Sequence, residues 1–269
     1  MLKFIVLSDL HLVNADQNSR GLDTHDRLQK AIDAINARHG DADFCVLAGD
    51  LADLGFKGEE EPYHRLKALV SKLSMPYHIT IGNHDSRALF LKVFGDEAKS
   101  PTGYLDKVVD HKGYRVILMD SVVAAAREHT HDGHLAHEQL DWLQARLDEV
   151  KGTPVIVVVH HHANPTYTVL DQLSMNNGEA FAKTLKSHGD VRQVIAGHVH
   201  FPSTGFWHGV PFTTIGGSHY GVGLQLDIEA ELDLFWGPAQ FGVVLADADQ
   251  TLVHFDNYLD SNAVLLPKT

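Results

Sequence analysis

The sequence predicts an α/β fold in which a sheet is sandwiched by helices. Six short apolar runs rich in Val, Ile, Leu and Phe recur along the chain, separated by segments with helical period. Such runs read as strands buried on both faces, and strands alternating with helices pack as layers. A third observation concerns chemistry: all six runs lead into Asp, Asn or His, and at five of them the polar residues form clusters of metal-binding types.

The first run, Leu2–Leu7, is followed by Ser8-Asp9-Leu10-His11. Leu28, Ala31, Ile32 and Ile35 then share one helical face, with Thr24 as the expected N-cap. Phe44–Ala48 leads into Gly49-Asp50, and a helix over His64–Leu73 presents Leu66, Leu69, Val70 and Leu73. Tyr77–Ile81 leads into Gly82-Asn83-His84-Asp85, with a helix expected over Ser86–Phe94. Arg115–Met119 ends in Asp120-Ser121, which reads as a turn or cap, and a helix over His137–Val150 carries Leu140, Leu143 and Leu147. Val155–Val159 ends in His160, and Val191–Ala196 in Gly197-His198-Val199-His200. Beyond Val210 the pattern favours strands: "PFTTIGG", "FGVVLAD" and "TLVHFDNYL". "GLQLDIEAELDLFWG" alternates apolar and acidic residues, reading as a strand or hairpin with one wet face, a lid or an oligomer contact being the functional alternatives. With no repeat or linker, residues 1–269 are expected to form a single domain, 205–269 being its less defined part.

Charge excludes some functions. A net charge of −13, from 22 Lys and Arg against 35 Asp and Glu, is poor footing for long nucleic acid. The lone Cys45, inside an apolar run, reads as a core residue and gives no disulfide framework. Apolar runs of five or six residues are too short for a membrane span. The opening MLKFIVLSDLH lacks a basic leader and a cleavage site, so a cytoplasmic protein is expected.

In open α/β sheets, ligands bind in the crevice beyond the carboxyl ends of the strands, where every one of these polar clusters falls. Asp9 and His11 are two apart, as are His198 and His200, and such side chains point the same way from an extended segment. Gly49, Gly82 and Gly197 precede clusters and would let the backbone turn sharply near an ion. Each pattern alone is an ordinary turn or cap. Five at equivalent positions point jointly to metal. His129, His131, His134 and His137 crowd one loop and read mainly as solvated.

Taken together, D-x-H, G-D-x-x-D, G-N-H-D, a strand ending in His, and G-H-x-H resemble the calcineurin-like metallophosphoesterases, from about residue 4 to 200. "GHLAHEQLDWLQARL" resembles that family's helix before the fourth motif, and "GNHDSRALFLKVF" is similar to the branch of bacterial cyclic-nucleotide phosphodiesterases and glycerophosphodiesterases. The resemblance implies a four-layer αββα fold, a central β-sandwich flanked by helices. It implies one ion held by Asp9, His11, Asp50 and His200, and another by Asp50, Asn83, His160 and His198, with Asp50 bridging. It makes His84 the non-ligand histidine beside the phosphate, Asp53 a hydrogen-bonding neighbour of the ligands, and His161 a residue either near the substrate or supporting the ligands from behind. His219 is a further candidate for substrate contact, as is Asn83. The chain departs at His160-His161-His162-Ala163-Asn164-Pro165, where the family usually shows His-His-Pro. His162 stands in the proline's place and is expected to be exposed.

The ligand set offers oxygen and imidazole nitrogen without thiolate, which suits Mn, Fe, Zn or Co, divalent or mixed-valence. Two carboxylates against two divalent ions leave about +2, enough to hold an anion despite the acidic surface. Ions roughly 3.5–4 Å apart would lower the pKa of a bridging water and brace both oxygens of an in-line displacement. His84 would supply the leaving alkoxide with a proton, Asp85 either orienting it or capping the next helix. The expected activity is hydrolysis of a small phosphodiester, without long nucleic acid or membrane as partner and with self-association left open. A phosphomonoesterase on the same core, or an inactive scaffold, are the alternatives; a scaffold has no chemical need for the full ligand set.

Overall fold

The computed structural model describes residues 1–123 and 130–259, and in it two sheets stack face to face with helices outside each. The chain begins β1 (Leu2–Leu7), α1 (Thr24–His39), β2 (Phe44–Ala48), α2 (Glu61–Val70), β3 (Tyr77–Thr80) and α3 (Arg87–Phe94). It continues with β4 (Lys107–His111), β5 (Tyr114–Met119), α4 (His137–Asp148), β6 (Val155–Val159), α5 (Gly178–Lys186) and β7 (Val191–Ala196). The last part supplies β8 (Ser203–Trp207), β9 (Val210–Thr214), β10 (Gly221–Val222), β11 (Leu234–Phe235), β12 (Gln240–Ala246) and β13 (Thr251–Asn257). One sheet runs β13-β12-β1-β2-β3 and the other β4-β5-β6-β7-β9-β8. β1 to β3 are parallel, as are β5 to β7, and antiparallel strands close the edges.

Alternation along each strand makes four layers. Phe4 and Val6 of β1 face the second sheet, meeting Val46, Val116, Leu118, Ile156 and Val158 between the sheets. Ile5 and Leu7 face the other way, onto Leu28, Ile32 and Ile35 of α1 and Leu66 of α2. On the far side, Val157 and Val159 meet Leu143 and Leu147 of α4 and Phe181 of α5. Both faces of the central strands are covered, which is why their sequences run apolar instead of alternating. All six apolar runs are strands, and the single predicted sheet is in fact two, as the family resemblance implies. No helix among the described residues is long and apolar enough to cross a membrane.

Local differences have local causes. Asp23, not Thr24, caps α1: its carboxylate accepts from Asp26 N at 2.9 Å, and Thr24 is the first helical residue. Ser86, not Asp85, caps α3. β4 escapes sequence reading because KVVDH is a short, half-exposed edge strand. In "GLQLDIEAELDLFWG" only Leu234–Phe235 pairs as a strand, with β10. Leu224, Leu226 and Ile228 are 65%, 73% and 55% exposed, so the expected one-wet-face hairpin is not formed.

Beside the end of β5 and α4 lies a buried carboxyl with a testable consequence. Asp106 accepts from Asp120 N (3.0 Å) and Gln139 Nε2 (2.9 Å), yet burial pushes its pKa up to about 7. A carboxyl whose pKa folding raises favours the folded state while protonated, so stability is lost as pH rises from about 4 to about 7. Asp106→Asn should therefore raise Tm at pH 8 by several degrees, and the gain should be less than half as large at pH 5. Melting curves showing the same change at both pH values would exclude this origin.

Candidate metal centre

The carboxyl ends of β1, β2 and β3 in one sheet and of β6 and β7 in the other open onto one cleft. Backbone bonds tie these ends together: Asp9 N donates to Gly49 O (3.0 Å), His11 N to Asp50 O (2.9 Å) and Gly197 N to His160 O (3.1 Å). Across the sandwich, His198 N donates to Asp9 Oδ1 at 3.1 Å, and the His160 ring to Ala48 O at 2.8 Å. Gly49 sits at φ +93°, as a sharp turn requires; Gly82 is needed for closeness, because a Cβ there would meet Asp50 Oδ1 at 2.3 Å. All seven residues expected to hold metal are buried and brought together.

Their convergence does not follow the extended geometry anticipated for Asp9/His11 and His198/His200. Asp9, His11, Asp50, His198 and His200 have φ values of 57°, 46°, 49°, 71° and 56°. Non-glycine residues in this left-handed region cost about 1–3 kcal/mol each and cluster where function demands them. These turns swing side chains back towards a shared centre instead of along the strand.

The hydrogen bonds fix which nitrogen each imidazole turns inward. His160 donates through Nδ1 to Ala48 O, His200 through Nδ1 to Tyr220 O (2.8 Å), and His11 through Nδ1 to the Asp53 carboxylate (3.0 Å). His198 instead commits Nε2, to Leu173 O at 3.0 Å. What remains inward are acceptor lone pairs, oriented as outer hydrogen bonds orient metal-binding histidines. His11 Nε2 and His200 Nε2 face each other at 3.3 Å, a repulsive pairing until a cation or proton sits between them.

Asp50 lies in the middle, Oδ2 at 3.6 Å from His11 Nε2 and Oδ1 at 3.3 Å from His160 Nε2. Burial opposes its charge, but His160 and His84 hold its pKa well below the usual carboxylate range. Burial likewise opposes a charged His160, yet Asp50 pushes it up to about 9; burial, joined by the charge of His11 and against the pull of Asp9, takes His200 down to about 4. Without metal, protons occupy part of this cluster and must leave as ions bind. Among the described residues, three groups have the reach and donor chemistry to hold divalent metal ions: Asp9, His11, Asp50 and His200; His160, His161 and His198; and His11, Asp53 and His84.

Other expected residues fall around this core. Asn83 Oδ1 lies 3.1 Å from His160 Nε2. His84 donates its backbone N to Asp50 Oδ1 (2.9 Å) and Nδ1 to the Asp53 carbonyl (2.7 Å), and burial lowers its pKa. Asp53 accepts from His11 and from Ser19 Oγ (2.9 Å); although burial opposes its charge, the His11 bond holds its pKa at about 2. Asp85 does not orient His84: its carboxylate accepts from Gly82 N, Leu51 N, Ala52 N and the Tyr63 hydroxyl, locking two ligand loops together. His219 lies behind His11 (5.1 Å between rings) and donates Nε2 to Ser19 O.

His162 is fully buried, not exposed: its ring stacks 5.8 Å from that of His198, and Asp171 lies 3.5 Å from its Nε2. The loop after Ala163 folds back over it. His131 joins the site, its Nδ1 2.8 Å from Asn83 Nδ2, while His137 is exposed as expected and His129 lies outside the described residues. Sequence reasoning also missed Ser121, whose hydroxyl bonds His161 Nδ1 (2.7 Å), and Tyr220, stacked on His200 at 4.0 Å. Ser121 ends a strand on the same side as the ligands, which was the available signal. No spacing flagged His131 or Tyr220.

The family model for calcineurin-like phosphoesterase matches residues 2–202. A probable cyclic nucleotide phosphodiesterase of Rhodopseudomonas palustris is 28% identical over 255 residues, covering 94% of this chain and 91% of that one. A cAMP/cGMP dual specificity phosphodiesterase of Mycobacterium tuberculosis is 32% identical over 222 residues, covering 80% of this chain and 66% of that one. A dimetal phosphatase from Danio rerio shares the fold, with a TM-score of 0.71 at 17% identity over 96% of this chain and 97% of that one. Motifs, layered fold and inward-facing donors thus agree with a match over most of the length, and this chain belongs to the calcineurin-like phosphoesterase family as a metal-dependent phosphoesterase.

Proposed function

We propose that the protein hydrolyses a small phosphodiester, a cyclic nucleotide or a glycerophosphodiester, on a pair of Mn, Fe, Zn or Co ions. The observation that carries this reading is the placement of Asp50, whose two oxygens lie towards different histidine clusters. One ion would rest on Asp9, His11, Asp50 and His200, the other on Asp50, Asn83, His160 and His198. When bound, such ions activate water and neutralise the charge of a phosphate. The chain's own residues do the rest. Asp53, Ala48 O, Tyr220 O and Leu173 O hold four imidazoles in the ligating tautomer. Asn83 is held from behind by His131. His84, its Nδ1 committed to the Asp53 carbonyl, presents Nε2 as the group that exchanges a proton with the leaving oxygen. His161, positioned by Ser121, lines the substrate's path. The named relatives support a diester over a monoester, and the absence of disulfide chemistry around Cys45 suits a cytoplasmic setting.

The test compares kcat/KM on bis(p-nitrophenyl) phosphate and p-nitrophenyl phosphate, using Mn²⁺-reconstituted and chelated protein and Asn83→Ala. Turnover should need metal, favour the diester, and fall by on the order of 10²-fold in the variant. Preference for the monoester would replace this reading with a phosphatase; no turnover with two ions bound would replace it with a scaffold.

A further inference from the structure

Next to the cleft, a tight turn presents one exposed arginine. Ser19 and Leu22 exchange backbone bonds (3.1 and 2.8 Å), and the two residues between them, Arg20 and Gly21, have φ values of 51° and 78°. This is the geometry of a two-residue turn that favours Asn-Gly. Arginine at its first position bears steric strain that a smaller polar residue would relieve.

The turn is pinned from three directions to the surroundings of the site. Ser19 Oγ donates to Asp53, which also holds His11; His219 Nε2 donates to Ser19 O (3.1 Å); Trp236 Nε1 donates to Arg20 O (3.1 Å). The side chain is placed as firmly. Its guanidinium carbon lies 4.7 Å from the centroid of the Tyr220 ring, and His200 stacks on that ring at 4.0 Å. The Tyr220 ring thus ties the Arg20 guanidinium to His200 at the edge of the metal centre. Among the described residues no carboxylate or carbonyl pairs with the Arg20 guanidinium, although the chain carries a net charge of −13. Its neighbour Arg27 shows the contrast: buried, it spends its donors on His219 O and Trp236 O.

A strained, anchored turn that holds an unpaired guanidinium beside an anion-binding centre is built to bind. We propose that Arg20 recognises the substrate, its forked N–H groups taking a non-bridging oxygen of the phosphodiester anion at the mouth of the cleft. The tyrosine ring orients the planar guanidinium while leaving its edge donors free, which is the geometry of bidentate phosphate recognition. This rests on the phosphoesterase centre described above, and it assigns to one residue the attraction of an anion to an acidic protein.

Arg20→Asn is the fold-safe variant, because asparagine tolerates the left-handed turn; Arg20→Lys keeps the charge but loses the fork. With Mn²⁺-loaded protein and bis(p-nitrophenyl) phosphate, Arg20→Asn should raise KM by on the order of tenfold to 100-fold with kcat little changed, as expected for a charge-assisted bond made equally in ground and transition states. Arg20→Lys should recover part of the loss, and the salt dependence of kcat/KM should flatten in the Asn variant. Calorimetric titration of inorganic phosphate into the metal-loaded protein should show a parallel loss of affinity at unchanged metal content and Tm. Unchanged KM and phosphate affinity would overturn the proposal, as would equal losses in both variants accompanied by a fall in Tm or bound metal. If even the unaltered protein hydrolyses no ester, the phosphodiesterase reading fails while the phosphate titration still decides the role of Arg20.

Discussion

Asp50→Asn should abolish turnover, by on the order of 10⁴-fold or more, while the chain still folds. The side chain is nearly isosteric, and its contact with the backbone of His84 can be kept by the amide oxygen. What disappears is the negative charge facing His11 on one side and His160 on the other. Each of two adjacent cations would lose a shared anionic donor, and their mutual repulsion would go unscreened. Metal analysis alongside steady-state kinetics should show the variant holding fewer than two ions. Two tightly held ions with near-normal turnover would remove Asp50 from the bridging role. Loss of activity with metal content intact would move its contribution from assembly to chemistry.

His84→Ala should distinguish substrates by their leaving groups. An alkoxide leaving from a cyclic nucleotide or glycerophosphodiester needs a proton, so kcat should fall by roughly 10²–10⁴-fold; nitrophenolate, stable as an anion, should leave with a much smaller penalty. The pH dependence has a definite sign. Burial lowers the His84 pKa, and Nδ1 keeps its proton for the Asp53 carbonyl, so the second proton arrives on Nε2 only as pH falls. As a donor, His84 makes the alkyl-ester rate decline with rising pH, and the variant lacks that limb. A rate that instead rises with pH and loses this dependence in the variant would show His84 working as a base.

Much of the site was legible because strand ends are legible. The apolar runs announce where strands stop, and polar residues immediately beyond must gather on one side of parallel sheets, so Asp9, Asp50, Asn83, His160 and His198 needed no coordinates to be grouped. Residues arriving from elsewhere did not announce themselves. His131 reaches Asn83 from a loop whose path depends on tertiary packing, and Tyr220 reaches His200 from the segment after β9. His162 looked like a solvated substitute for proline; only the return of the chain at Asp171 buries it. Asp85 was misjudged because one carboxylate has many local acceptor roles, and choosing among them requires knowing that Leu51 and Ala52 lie across from it.

The left-handed backbone at five of the proposed ligands has an evolutionary corollary. Each of these positions would be more comfortable with glycine, or in part with asparagine, so the aspartates and histidines there are maintained against the fold's own preference. A lineage that stopped using the ions would gain stability by discarding them, and drift would erase the cluster sooner than it erased the hydrophobic layers. An inactive descendant should therefore be recognisable by glycines where Asp9, His11, Asp50, His198 and His200 now stand. Asp and His at all five positions are what a centre in use would require.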